Sequence, residues 1–256
     1  MDFMHAVIED IIGQNPHLAD TLRFYEKALK FREKMREGPA KVRPHQNAYA
    51  PELIGQIFER FSLFIELPEG SLNPLKQAME LGEIDFTRLP LGEVPAFSLP
   101  YAEDDLSMLL FLLSKPYFIA LRESCSLDDR AWEEGKCPVC KAQPTVSWIG
   151  DNGRRRVSCS YCGTTGYVDR SGCPVCQDVD ASKQNILVFE REEGFKINTC
   201  DLCHSYVKTV DAGMILRLTP ELADLVSLPL DIVVQERGYA RRSPNPVGMR
   251  KISTRA

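Results

Sequence analysis

No cysteine precedes Cys125 in this chain of 256 residues, and the histidines of that stretch are scattered. His5, His17 and His45 have no neighbour at a metal-ligand or triad spacing, so they read as surface or capping groups and the first half predicts no catalytic constellation. Positive charge is also lacking. The formal net charge of -5 leaves no overall field to draw in nucleic acid or anionic lipid. No basic segment followed by an apolar run opens the chain, so no secretory signal is predicted. The most apolar stretch, Leu106 to Leu121, is interrupted by Lys115 and Pro116 and is too short to span a bilayer. These absences predict a cytoplasmic protein, in a compartment where paired cysteines serve as metal ligands or redox groups rather than as structural disulfides.

What the first half does contain is helical patterning. Asn15-Pro16 reads as a helix start, with Asn as N-cap and Pro at the first helical position. Leu18, Leu22, Tyr25, Leu29 and Met35 then recur at helical spacing until Gly38-Pro39. A second helix is predicted over 51–67, with Leu53, Ile54, Ile57, Phe58, Phe61 and Phe64 facing a core. Ser71 is expected to cap a third over 72–82. The Pro-rich stretch 84–101 reads as a connection. Glu103, Asp104 and Asp105 suit the first turn of another helix, which Pro116 is expected to separate from one ending near Ser124. These apolar stripes serve a core or a groove for a partner's helix or peptide, and the sequence alone does not separate the two.

From Trp132 the texture changes to short β-prone runs punctuated by Gly and Cys. Val146–Ile149, Arg156–Ser158, Gly166–Val168, Ile186–Glu190 and Phe195–Ile197 are predicted strands. Asp151-Asn152-Gly153 is a hairpin turn between the first two. The segment from Val207 to Tyr239 mixes a strand with helices. The tail from Arg241 carries basic residues and no acid, and reads as mobile.

Eight of the nine cysteines fall in four C-x-x-C pairs: Cys137/Cys140, Cys159/Cys162, Cys173/Cys176 and Cys200/Cys203. A C-x-x-C turn sets two sulfurs on one side of a tight loop, and two such turns complete a tetrahedral set of four. Chain order predicts one site from Cys137, Cys140, Cys159 and Cys162. Cys173, Cys176, Cys200 and Cys203 form the second. Each intervening stretch holds a β-hairpin, as in a duplicated ribbon unit. An interleaved pairing, first turn with third and second with fourth, is the alternative. A redox role for single pairs is a further one. Four thiolates saturate either Zn²⁺ or iron and leave no position for water or substrate. His204 is placed to face solvent, replace a ligand or orient one. Trp148, Tyr161, Tyr167, Phe189 and Tyr206 are expected to pack over the sites. Over 131–210 the basic and acidic residues balance, and Arg154-Arg155-Arg156 is the only basic cluster. A nucleic-acid-associated zinc-ribbon protein and a rubredoxin-type electron-transfer or redox-sensing protein are the rival readings.

The runs Gly135-Lys136-Cys137-Pro138-Val139-Cys140, Arg156 through Cys162, Arg170-Ser171-Gly172-Cys173-Pro174-Val175-Cys176 and Cys200 through Lys208 together resemble the formate dehydrogenase accessory protein family, FdhE. Tyr167 and Arg170, Leu230-Asp231, Glu236-Arg237-Gly238-Tyr239 and the helix from Asn15 to Phe24 add to the likeness. That family often has Gly just after a C-x-x-C turn; here only Gly163 does, with Lys141, Gln177 and His204 at the other places. The double-Asp motif is reduced to Ala223-Asp224-Leu225. The resemblance implies an α+β fold: a helical domain over 1–130, rubredoxin-like modules over 131–168 and 169–240, the second with C-terminal helices, and a basic tail over 241–256. It also implies a non-catalytic cytoplasmic accessory factor that binds the catalytic subunit of formate dehydrogenase during maturation. Two metal ions are implied, iron before zinc, with no nucleic-acid partner and no membrane insertion.

Overall fold

The computed structural model describes residues 2–36, 47–93, 99–190 and 192–252. His45, the Gly38-Pro39 stop and the last residues of the basic tail lie outside them. Among the described residues five α-helices come first: α1 (Asp2–Gln14), α2 (Ala19–Arg36), α3 (Pro51–Ile65), α4 (Asn73–Glu80) and α5 (Glu103–Glu123). In α2 the buried residues Leu22, Tyr25, Ala28, Phe31 and Met35 form one stripe. In α3 the stripe is Ile54, Ile57, Phe58, Phe61 and Ile65. Both follow the helical repeat that lets one face meet a core.

Three local expectations need correction. Helix α5 runs unbroken through Pro116. Every residue from Leu109 to Phe118 is buried, and packing on all sides outweighs the ~3 kcal/mol that an internal proline costs. Ser71 does not cap α4: the cap position is Leu72, and the Ser71 hydroxyl is buried without a partner. Asn15 makes no side-chain cap either. Its amide donates back to the Ile11 carbonyl (3.2 Å), closing α1, a helix the sequence reading did not anticipate.

The second half is a single seven-stranded sheet of β1 (Arg130–Ala131), β2 (Val146–Ile149), β3 (Arg155–Ser158), β4 (Thr165–Val168), β5 (Gln184–Val188), β6 (Phe195–Cys200) and β7 (Ser205–Val210). The order is β1-β4-β3-β2-β7-β6-β5. Each unit is an antiparallel meander, β2-β3-β4 or β5-β6-β7, and parallel pairing of Val146 with Lys208 and Trp148 with Val210 fuses the two. Short helices α6 (Ala212–Ile215), α7 (Pro220–Val226) and α8 (Leu228–Glu236) follow.

The helical half and the first unit share one core. Phe31, Phe61, Leu110 and Phe118 belong to the same buried cluster as Trp132, Val157, Tyr161 and the four cysteines of the first unit. Two close approaches depend on glycine. A side chain on Gly166 would strike the Trp132 indole, and one on Gly135 would lie 2.5 Å from the Pro174 carbonyl, where the two units meet.

The basic tail is not a free end over 241–252. Ser243, Asn245 and Val247 are buried. The Ser243 hydroxyl donates to the Gln143 carbonyl (2.7 Å), and Val247 packs with Ile8, Leu22 and Leu225. The segment straps the sheet to the first helices because Arg241 has buried carboxylates to reach.

Candidate metal centres

All four C-x-x-C turns have the same backbone. Lys141, Gly163, Gln177 and His204, each the residue after the second cysteine, adopt positive φ of 67°, 74°, 61° and 50°. The Lys141, Gly163 and Gln177 amides donate to the carbonyls of Cys137, Cys159 and Cys173 at 2.9–3.0 Å. The amides of Cys137, Cys159 and Cys173 reach across to the carbonyls of Ala142, Thr164 and Asp178. In the fourth turn Cys200 pairs with Ser205 through β6 and β7. Lys141 and Gln177 are held left-handed by this bonding, at a cost of about 1–2 kcal/mol each.

These turns face each other in chain order. Sγ of Cys137 lies 3.5 Å from that of Cys162, and Cys140 lies 3.4 Å from Cys159. In the second set Cys173–Cys203 and Cys176–Cys200 are each 3.8 Å apart. Within each set the sulfurs all lie within 4.8 Å of one another. A tetrahedral ion with metal–sulfur bonds of about 2.3 Å holds its sulfurs about 3.8 Å apart, whereas a disulfide needs about 2.0 Å. The spacing therefore fits an ion in each set, and all nine cysteines are free thiols. The interleaved pairing is not the one adopted.

Their surroundings differ. In the first set all four cysteines are buried, whereas in the second Cys176 is exposed and Cys203 half-buried. Burial pushes the Cys140 and Cys159 thiols well up. Four sulfurs packed this way carry full negative charge only around a cation. Hydroxyls approach one sulfur of each set: Thr164 Oγ1 at 3.0 Å from Cys162 and Ser205 Oγ at 2.9 Å from Cys203. Gln184 Nε2 adds a contact to Cys200 at 3.4 Å.

The other residues singled out in the sequence go elsewhere. The exposed His204 is outside both sulfur sets and lies beside Tyr239. Cys125 lines a cleft of about 740 Å³ between α2, α5, the second cysteine turn and α7. Tyr161 leaves its cysteine turn to pack edge-on between Phe111 and Phe118, with its hydroxyl on the Leu89 carbonyl. Tyr206 donates to Asp231 (2.5 Å), and Phe189 packs on the core under β6 and α8. The arginine run is split three ways. Arg154 stacks on Tyr167, Arg155 is buried against Ser147 and the Gly172 carbonyl, and Arg156 pairs with Asp129 over Trp148.

Two ion clusters, one buried and one half-buried, escaped the sequence reading. Lys208 Nζ lies 2.6 Å from both Asp224 and Asp231, and Arg241 closes the ring onto the same two carboxylates. Glu221 on α7 accepts from Arg32 of α2 (3.0 Å), Lys115 of α5 (2.5 Å) and Tyr25 (2.6 Å). Burial raises Glu221, but Arg32 and then Lys115 overturn this and hold its carboxyl far below the usual range. Burial pulls the Lys115 ammonium down, since its one carboxylate is shared with Arg32. Nothing in the local patterning marks Lys208 as buried or Glu221 as half-buried; the family likenesses at Cys200 through Lys208, Ala223-Asp224-Leu225 and Leu230-Asp231 touched the first cluster.

Residues 157–247 match the family model described as FdhE, C-terminal domain. That stretch is similar to the C-terminal domain of FdhE proteins. The chain is 28% identical over 151 residues to an FdhE homolog of Aquifex aeolicus, covering 57% of this chain and 53% of that protein. It is 27% identical over 203 residues to one of Rhizobium meliloti, covering 76% and 65%. Against FdhE of Escherichia coli strain K12 it is 32% identical over 114 residues, covering 43% and 36%. The matched stretches thus span from about a third to about two-thirds of these relatives' own length. The crystal structure of FdhE from Pseudomonas aeruginosa has the same fold, with a TM-score of 0.67, 17% identity, and 95% of this chain and 94% of that one covered. The FdhE C-terminal match takes in the last three cysteine turns and the whole Lys208–Asp224–Asp231–Arg241 ring; Cys137 and Cys140 precede it.

Proposed function

We propose that this chain is a non-catalytic accessory factor for the maturation of formate dehydrogenase, acting in the cytoplasm by holding that enzyme's catalytic subunit. The observation that carries the reading is the closed form of both sulfur sets in a chain whose residues 157–247 match the FdhE C-terminal domain. Cys137, Cys140, Cys159 and Cys162 would hold one ion, and Cys173, Cys176, Cys200 and Cys203 the other. A tetrathiolate ion has no vacant position for substrate, so its contribution is to cross-link the turns. Iron is preferred to zinc on the family resemblance. The closed sets brace the sheet, and the helical half and its junction with the first unit supply the surface for the partner. Among the described residues no helix is long and apolar enough to cross a membrane.

Deleting the gene should abolish or sharply lower formate dehydrogenase activity, with restoration by the intact gene; unchanged activity would sink the proposal. Anaerobic purification should yield two ions per chain, with the visible bands of ferric tetrathiolate if iron is bound. The divided arginines argue against a nucleic-acid clamp, since they present no common face.

A further inference from the structure

Strand β5 is an open edge of the seven-stranded sheet. Its register fixes which backbone groups face outward. The Asp201 amide donates to the Lys183 carbonyl (2.8 Å). By the alternation of an antiparallel pair, Asn185–Thr199 and Leu187–Ile197 are then the pairs that exchange hydrogen bonds with β6. The N–H and C=O of Ile186 and Val188 point away from the sheet, where no described strand meets them.

The side chains of the same two residues are 63% and 68% exposed. Val179 and Leu202, from the same unit, add 69% and 60%. Proteins protect open edges with lysine, proline, bulges or a covering segment. The β5 sequence, Gln-Asn-Ile-Leu-Val, has no charge and no proline. An apolar edge kept this open is suited to pairing. The surrounding charge selects the partner: from 178 to 201 the sequence places Asp178, Asp180, Glu190, Glu192, Glu193 and Asp201 against Lys183, Arg191 and Lys196.

We propose that β5 is a docking edge that takes an extended peptide segment of a partner protein as an eighth strand. That segment would carry apolar side chains at alternate positions, flanked by Lys or Arg. Main-chain hydrogen bonds would supply affinity, and Ile186, Val188 and the acidic flanks would supply selectivity. A second copy of this chain fits less well, because edge-to-edge pairing would set the acidic flanks against each other. The inference stands on the sheet edge and does not depend on which protein supplies the segment.

The test uses the full metal-loaded protein and a fluorescein-labelled synthetic peptide of alternating Lys and Val, followed by anisotropy at moderate salt. Saturable binding is expected, with slowed hydrogen exchange at the Ile186 and Val188 amides. The same peptide N-methylated at every residue should not bind. Ile186→Pro removes one outward N–H at an edge that tolerates proline, and should weaken binding about tenfold, as the loss of one or two hydrogen bonds implies. Val188→Lys should weaken it through like charge. Absent binding, equal binding of the methylated peptide, or unslowed exchange in β5 of the unaltered protein would overturn the proposal. Self-association abolished by Ile186→Pro would overturn the choice of occupant.

Discussion

The two cysteine sets are built from one turn used four times, yet they occupy different environments. The first lies within the core that joins the helices to the sheet, with Tyr161 of its second turn wedged between two phenylalanines of α5. The second has a small cluster of its own, Cys173, Val175, Cys200 and Val207, and leaves Cys176 exposed. The motif thus sets sulfur geometry, while the elements packed over it decide how much of the protein would depend on an ion in each set. The first set is a joint between halves, and the second a brace for one hairpin.

The most severe test of this contrast is to remove one ligand from each set. Cys159→Ser should cost the cooperative fold of the helical half as well as the first unit, because ion binding contributes on the order of 10 kcal/mol to folding at such sites. Cys203→Ser should disorder the β5–β6 region and keep the helical circular dichroism. If both variants unfold alike, the two sets are not different in kind. A smaller effect should appear on mild chelation. The metal content should fall to half before any loss of helix, and alkylation should mark Cys176 and Cys203 before Cys137, Cys140, Cys159 or Cys162.

How much of this contrast was legible beforehand follows from what each residue's neighbours in sequence reveal. The C-x-x-C spacing carries its geometry locally, so the sulfur sets and the strands between them could be read directly. Which set would be buried could not, because the cover comes from Phe111 and Phe118, far away in the chain. Pro116 was misread because local propensity argues for a break, whereas burial around all of α5 keeps it whole. The tail was misread for a related reason. Its basic residues resemble a solvated end until Asp224 and Asp231 are known to be buried beside Arg241.

Glu221 sharpens the comparison from the side of the first set. It joins α2, α5 and α7 and lines the cleft that also touches Cys159. Glu221→Gln should destabilise the protein by about 3 kcal/mol, since it strands Arg32 and Lys115 without their carboxylate. It should hasten ion loss from the first set and leave the second unaffected. The folded-state pKa of Glu221 is depressed, so its stabilisation is complete above the unfolded value of about 4.3 and fades as pH falls towards the folded value. Denaturant midpoints of the native protein and the variant should therefore differ most near neutrality and converge in acid. A gap independent of pH would assign the effect to packing rather than charge.

The smallest effect concerns the turns themselves. The first set has one glycine at its left-handed positions, Gly163, and the second has none. Lys141 and His204 are exposed, so glycine there removes the strain and little else. Each should stabilise by up to about 1 kcal/mol, less the entropy glycine loses on folding. Gln177 is different, because its side chain donates to the Trp132 carbonyl (3.2 Å) and helps bind the two units together. Gln177→Gly should therefore gain little or nothing, the lost hydrogen bond offsetting the relieved backbone. Thermal melting of the three single variants separates these outcomes. Equal gains at all three would mean that the Gln177 contact contributes nothing, and that the second set is braced by its ion alone.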